Sequence, residues 1–179
     1  MSTAPAGNHR LRLRELREDD HAFALALLND PGFLQHIGDR GVRDEAQARA
    51  YLRDGPMASY ARNRFGLWGV EAEGELLGMC GLVRRDALPH PDLGYAFLPA
   101  ARGRGLAREA AALTLAHAFG PLALPRVLAI VTETNAASRR LLESLGLRDE
   151  GLQTVGESSL QVYAIDRDDA LRPASGSGR

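Results

Sequence analysis

A short loop in the middle of the chain combines residue types that bind phosphate. Gly103 and Gly105 lie in residues 101–107, between an apolar run and an alanine-rich run. Glycine lets the backbone turn tightly towards a ligand, and a helix that begins there adds unpaired N–H groups and a positive dipole end. Arg102 and Arg104 add side chains that can bind phosphate oxygens. This pattern predicts a site for the pyrophosphate of a phosphorylated cofactor.

Two common nucleotide-binding motifs do not fit this loop. The dinucleotide fingerprint needs a small residue at its third glycine position, which is occupied here by Arg108. The P-loop needs a lysine, and the sequence contains none. A nucleotide-binding or S-adenosylmethionine-binding enzyme is therefore the weaker alternative, because such loops normally follow the first strand of a fold.

The segments around the loop have the patterns of alternating strands and helices. Residues 93–98 predict a strand, and residues 103–119 predict a helix with small residues where it must lie close to a sheet. The continuous apolar run 127–131 is typical of a strand buried on both faces. Asn135 is suited to begin the next helix and Gly146 to end it.

Earlier and later segments extend this pattern. Residues 11–14 alternate leucine with arginine, as in an edge strand, and Asp19 or Asp20 can cap a first helix. A short polar turn leads to a second helix at 43–52, which Pro56 is expected to close. The remaining strands are predicted at residues 65–71, 76–83, 148–155 and 159–165.

Composition indicates one ordinary globular domain. The 179 residues are 45% hydrophobic and 25% charged, with a formal net charge of -1, which gives no support for a nucleic-acid or membrane partner. The one cysteine allows no intramolecular disulfide. We expect a mobile leader at 1–9, a domain at 10–172 and a flexible tail at 173–179. A cytoplasmic location follows from the lack of a signal or transmembrane segment.

Four short motifs occur together in the second half of the chain. They are Asp-Leu-Gly-Tyr (residues 92–95), Arg-x-x-Gly-x-Ala (102–107), Asn-x-x-Ser (135–138) and Leu-Gly-Leu (145–147). This combination resembles the GNAT superfamily of N-acetyltransferases, and within it the branch of ribosomal-protein-alanine N-acetyltransferases. The resemblance covers about residues 67–147.

The resemblance implies a fold and a co-substrate. The fold is a single α+β GNAT-like domain, with a mixed central sheet of about six or seven strands flanked by about four helices. The fourth and fifth strands are splayed, so that acetyl-CoA enters between residues 93–98 and 127–131, and no metal is involved. The implied cofactor-binding residues are Phe97, Leu98, Arg102, Gly103, Arg104, Gly105, Leu106, Ala107, Asn135 and Ser138.

The implied reaction is direct attack of an amine on the thioester through a tetrahedral intermediate. It needs a base for the amine, fixed donors for the oxyanion and an acid for the departing thiolate. Asp92 is the expected base, in a position where this branch often has glutamate. Ser138 and Tyr163 are alternative acids for the thiolate. Without ligand roles, Asp92 would be a loop carboxylate, and Asn135 would be a helix cap.

The function expected from the resemblance is transfer of an acetyl group to a primary amine, in a small molecule or at a protein N-terminus. A non-catalytic acyl-CoA-binding or regulatory module of the same fold is the main alternative. Residues 29–64 are expected to form the acceptor side, and a homodimer is compatible with the superfamily. Possible contacts to an acidic or aromatic acceptor are Arg40, Arg43, Tyr60 and Arg62.

Overall fold

The computed structural model describes residues 1–172, which form one mixed seven-stranded sheet with helices on both faces. The tail predicted at 173–179 lies outside these residues. The strands are β1 (Arg12–Arg14), β2 (Leu67–Ala72), β3 (Glu75–Val83), β4 (Asp92–Phe97), β5 (Arg126–Val131), β6 (Arg148–Val155) and β7 (Ser158–Asp166). The helices are α1 (His21–Leu28), α2 (Pro31–His36), α3 (Glu45–Leu52), α4 (Ala58–Asn63), α5 (Leu106–Phe119), α6 (Ala136–Ser144) and α7 (Arg167–Ala170).

The sheet opens in its middle, between β4 and β5. Its strand order is β1-β2-β3-β4-β5-β7-β6, and β4–β5 is the parallel pair in an otherwise antiparallel arrangement. The two strands pair at one position, Asp92 with Leu128, where the Leu128 N–H donates to the Pro91 carbonyl at 3.0 Å. Beyond this point they separate, which confirms the expected splay of the fourth and fifth strands.

Helices on the two faces of the sheet form separate hydrophobic clusters. On one face, α5 lies close to the sheet because Ala110, Ala111 and Ala118 are fully buried. On the other face, α1 and α3 contribute to a cluster that includes Met79 and Ala96. Since side chains alternate along a strand, Asp92 lies on the same face as Ala96, opposite to α5.

The fold confirms the α+β class with its single mixed sheet. Four helices, α1, α3, α5 and α6, have eight or more residues, close to the expected number. The short polar turn expected before α3 is instead the helix α2, which Asp30 caps by accepting the Phe33 N–H at 3.2 Å. The expectation that Pro56 ends a helix is wrong, because a π-helical turn at Arg53–Met57 leads from α3 directly into α4.

The first residues of the chain make specific contacts with the domain. The Thr3 N–H donates to a Glu15 carboxylate oxygen at 2.7 Å, and the Trp68 Nε1–H donates to the Thr3 hydroxyl at 3.1 Å. These contacts do not test whether residues 1–9 are mobile, which stays a prediction. Among the helices of residues 1–172, none has the length and apolar character needed to cross a membrane.

Candidate active site

The loop between β4 and α5 presents a row of free backbone amides. Gly103 and Gly105 have φ angles of +73° and +74°, a conformation that side chains with a Cβ rarely adopt. No atom lies within 4 Å of the position where a Cβ would stand on either glycine. Within the described residues, no backbone carbonyl accepts from the N–H groups of residues 103–108. The loop is therefore open above its glycines and lined with donors suited to a pyrophosphate.

The arginines of this loop are paired with carboxylates in the structure. Arg102 binds the buried carboxylate of Asp30, and its Nη2 also donates to the Phe97 carbonyl at 3.1 Å. Arg104 is 3.2 Å from a carboxylate oxygen of Glu73, at the surface. The contact with phosphate expected from the Arg102 side chain stays a prediction, and in this structure the side chain binds the N-terminal end of α2. In this loop the backbone amides remain the principal donors.

The gap between β4 and β5 exposes one edge of β4. The Leu98 N–H donates to the Leu77 carbonyl on β3, and the Leu98 carbonyl accepts from Ala101. Because backbone groups alternate between neighbouring strands, Leu93, Tyr95 and Phe97 direct their N–H and C=O groups towards β5. The Leu93 N–H belongs to the pair with Leu128, and the Phe97 carbonyl accepts from Arg102, so the open part of this edge is centred on Tyr95. The expected contact of Leu98 with the cofactor stays a prediction, although both of its backbone groups already bond within the protein.

Ser138, at the start of α6, faces β4 across the gap. Asn135 caps α6 by accepting the Ser138 N–H at 3.2 Å, as its residue type predicts. The Ser138 Oγ lies 2.5 Å from the hydroxyl of Tyr95, so a hydrogen bond spans the opening. Burial raises the pKa of Tyr95 to about 12, although its bond with Ser138 opposes the rise. The Tyr95 hydroxyl is therefore protonated at neutral pH.

Tyr163 lies apart from this pair. Its ring is fully buried in the core, and its hydroxyl donates to a Glu143 carboxylate oxygen and accepts from Arg139 Nε, each at 3.1 Å. It is absent from the described residues that line the cavity between β4 and β5. The geometry therefore separates Tyr163 from Ser138, the other expected acid.

Asp92 lies at the closed end of the gap, on the face opposite to Ser138. Its side chain is 1% exposed, and one carboxylate oxygen accepts from Arg85 Nε at 2.9 Å. Burial raises the pKa of Asp92 above its ordinary value, while the Arg85 guanidinium opposes that rise. Asp92 is therefore a better proton acceptor than an exposed aspartate, and Arg85 limits how far its pKa rises.

A cavity of about 900 Å³ joins the two faces through the gap. Residues of the sequence motifs and of the expected site line it, so the fold brings them together, among them Asp92, Tyr95, Phe97, Arg102, Asn135 and Ser138. Its walls also include residues from α2, α3 and the β6–β7 hairpin, which form the side away from α5. This volume lies within the range of ligand-binding pockets.

Of the four residues expected to contact an acceptor, Arg40 lines this cavity. Tyr60 has a structural role instead, because its buried hydroxyl accepts from the Leu16 N–H at 3.0 Å and donates to the Leu67 carbonyl at 2.5 Å. Arg43 is bound to Asp39 and Asn29, and Arg62 is exposed outside the cavity lining.

Three partners in the site escaped sequence reasoning. The sequence did not predict that Arg102 binds Asp30 or that Asp92 binds Arg85. It also did not predict the hydrogen bond between the hydroxyls of Ser138 and Tyr95. Asp30 precedes Pro31, and an aspartate before proline is a signal for a helix start that could have been read. The pairings with Arg102 and Ser138 join residues distant in sequence, and no local pattern encodes them.

Comparison with known proteins identifies related chains. Residues 10–148 match the family model described as an acetyltransferase (GNAT) domain. The uncharacterized protein YkkB of Bacillus subtilis (strain 168) is 31% identical over 147 residues, which are 77% of this chain and 81% of that protein. The uncharacterized N-acetyltransferase YoaA of the same strain is 29% identical over 146 residues, 80% of this chain and 82% of that protein.

A solved protein structure has the same fold as this chain. Mycobacterium smegmatis RimJ, in complex with CoA-disulfide, superposes with a TM-score of 0.76 at 25% identity. The superposition covers 96% of this chain and 88% of RimJ. The two chains therefore share their fold over nearly their whole length.

The loop geometry predicts that Gly105→Val weakens binding of acetyl-CoA. A valine side chain would fill the space over the amides and strain the backbone at φ +74°. Loss of one to two kcal/mol of contact would raise the dissociation constant about tenfold, measured by calorimetric titration. The matched control is Gly151→Val, where φ is +90° and the space is equally open, but on β6. Equal binding by both variants would contradict the assignment of this loop.

Proposed function

The chain belongs to the GNAT acetyltransferase family, and from that premise we propose that it transfers the acetyl group of acetyl-CoA to a primary amine. The amine is that of a small molecule or of a protein or peptide N-terminus. The observation that carries this proposal is the gap between β4 and β5, with free amides in the loop at one end and Asp92 at the other.

The residues beside the gap fit acetyl-CoA. The amides of residues 103–107 suit its pyrophosphate, and the free edge of β4 suits the amides of its pantetheine arm, as an added strand would. The CoA-disulfide bound to RimJ supports this choice of ligand. When bound, acetyl-CoA supplies the thioester whose carbonyl carbon the amine attacks.

Asp92 removes the proton from the acceptor amine in this proposal. An amine is protonated at neutral pH and must lose a proton before it can attack. The raised pKa of Asp92 brings its basicity closer to the working pH. Because the carboxylate is 1% exposed, a water in the cavity is proposed to carry the proton from the amine to Asp92.

The opposite face of the gap holds the groups that handle the leaving thiol. The N–H group of Tyr95 points into the gap beyond the pair of Asp92 with Leu128 and is the proposed donor to the developing oxyanion. Ser138 Oγ–H is the proposed proton donor to the sulfur; Tyr95 returns a proton to Ser138 through their hydrogen bond and takes one in turn from solvent that enters the cavity. We favour Ser138 over Tyr163, whose hydroxyl is bound to Arg139 and Glu143 away from the cavity.

A non-catalytic acyl-CoA-binding module is the second candidate. The low exposure of the Asp92 side chain favours it, since a closed carboxylate has a structural role beside Arg85. Such a module would bind acetyl-CoA without releasing thiol in the presence of any amine.

The pair of Asp92 and Arg85 predicts the pH dependence of turnover. A base must be ionised, so activity should rise with pH through the pKa of Asp92. Arg85 lowers that pKa, hence Arg85→Gln should raise it and move the acidic limb of the pH–rate profile to higher pH.

Asp92→Asn should lower kcat by about 100-fold or more. Profiles of kcat against pH, with one acceptor throughout, measure both effects.

Arg84→Gln is the control for this experiment. Arg84 is the exposed neighbour of Arg85 and does not line the cavity, so its loss changes net charge equally. An acidic limb that stays in place in Arg85→Gln, or activity of Asp92→Asn within a few fold of the unmodified protein, would rule out Asp92 as the base.

The bond between Tyr95 and Ser138 predicts that the two residues act as a unit. Ser138→Ala should lower kcat by about 100-fold, because Ser138 supplies the proton. Tyr95→Phe should also lower kcat. The double variant should be no slower than Ser138→Ala alone, because both changes break one relay. Tyr163→Phe should leave kcat unchanged. Full kcat in Ser138→Ala, or a large loss in Tyr163→Phe, would reverse this assignment.

A further inference from the structure

The side of the cavity away from α5 carries a positive charge without a partner. Three arginines and one aspartate line the whole cavity. Arg85 is paired with Asp92, and Arg102 is paired with Asp30. Arg40, an exposed residue after α2 that lines the cavity at its rim, has no carboxylate within 4.0 Å among residues 1–172. The cavity therefore offers one unneutralised guanidinium to whatever enters from this side.

Two more polar groups near Arg40 lack partners. The Nδ1 atom of His36 is buried and has no hydrogen-bond partner within the described part of the chain. The Tyr51 hydroxyl makes no hydrogen bond to residues 1–172, and the charge of Arg40 lies near enough to lower its pKa against the larger rise caused by burial. Both side chains line the cavity. A buried polar atom normally has a partner, so the His36 Nδ1 atom indicates a polar ligand in this cavity, and the accessible Tyr51 hydroxyl can bond to the same ligand.

We propose that the acceptor amine also carries a carboxylate, which Arg40 binds with the help of Tyr51 and His36. The proposal rests on the proposed acetyl transfer and names the class of its acceptor. A guanidinium presents two parallel N–H donors that match the two oxygens of a carboxylate. The Tyr51 hydroxyl can add a third donor from α3.

The remaining walls of this side include apolar side chains, beside the polar Gln35 and Ser158. Ile37, which is 43% exposed, lies before Arg40, and Leu160 and Val155 face the cavity from the β6–β7 hairpin. An acceptor with an apolar segment between its amine and its carboxylate fits these surfaces. A polyamine does not, because its second cation would meet Arg40 while the lining aspartate is already paired.

The experiment compares ω-amino acids of increasing length, from 4-aminobutyrate to 6-aminohexanoate, with leucine and with the carboxamide of each compound. Each pair differs in one charge, and spermidine is added as a polyamine. For at least one pair we expect kcat/KM to be tenfold or more higher for the carboxylate. Arg40→Gln should abolish that preference through KM, while kcat and the KM for acetyl-CoA stay unchanged. Arg40→Lys should retain part of it.

Arg62→Gln is the matched control, since Arg62 is exposed outside the cavity lining. It should keep the full preference. A preference for carboxamides or spermidine in the unmodified protein, or an equal loss for both members of each pair in Arg40→Gln, would overturn the proposal.

A binding measurement separates this inference from the proposed function. The same compounds are titrated into the CoA-saturated protein by calorimetry. Tighter binding of the carboxylates that disappears in Arg40→Gln supports the acceptor class even if no amine is acetylated, an outcome that would contradict the proposed activity alone. Equal binding of carboxylates and carboxamides overturns the acceptor class while acetyl transfer stands.

Discussion

The unpaired edge of β4 is the feature on which the rest of the site depends. Backbone N–H and C=O groups in the middle of a sheet normally bond to the next strand. After the single pair of Asp92 with Leu128, β5 turns away and leaves this edge open, while β7 and β6 continue the sheet beyond it. A ligand with amide groups can complete the edge, and the loop that follows β4 supplies free amides to the same ligand.

The gap also divides the chemistry between two faces of one sheet. Neighbouring residues of β4 point in opposite directions, so Asp92 faces the side proposed for the acceptor, while Tyr95 meets Ser138 on the side of α5. A proton can thus be taken from the amine on one face and returned to sulfur on the other. The link from Arg102 to Asp30 connects the loop proposed to bind phosphate with α2, which lines the cavity on the side proposed for the acceptor.

Local patterns were sufficient to predict most of the elements and the loop. Glycines at 103 and 105, small residues on α5 and the cap at Asn135 act within a few residues of themselves, so the sequence expresses them directly. The partners of the site residues arise from the fold. Arg102 and Asp30 are 72 residues apart, and Tyr95 and Ser138 are 43 apart, so spacing alone could not pair them. For the same reason the sequence could not predict that the backbone groups of Leu98 and the hydroxyl of Tyr163 have partners within the protein.

The central claim is that this gap binds acetyl-CoA and uses it on an amine. The most direct test is a calorimetric titration of the purified protein with acetyl-CoA, beside NAD and S-adenosylmethionine, followed by measurement of amine-dependent thiol release. We predict selective binding of acetyl-CoA with a micromolar dissociation constant, and thiol release that requires an amine. Absence of acetyl-CoA binding by the folded protein would contradict the account, and binding without thiol release for any amine would indicate a non-catalytic module.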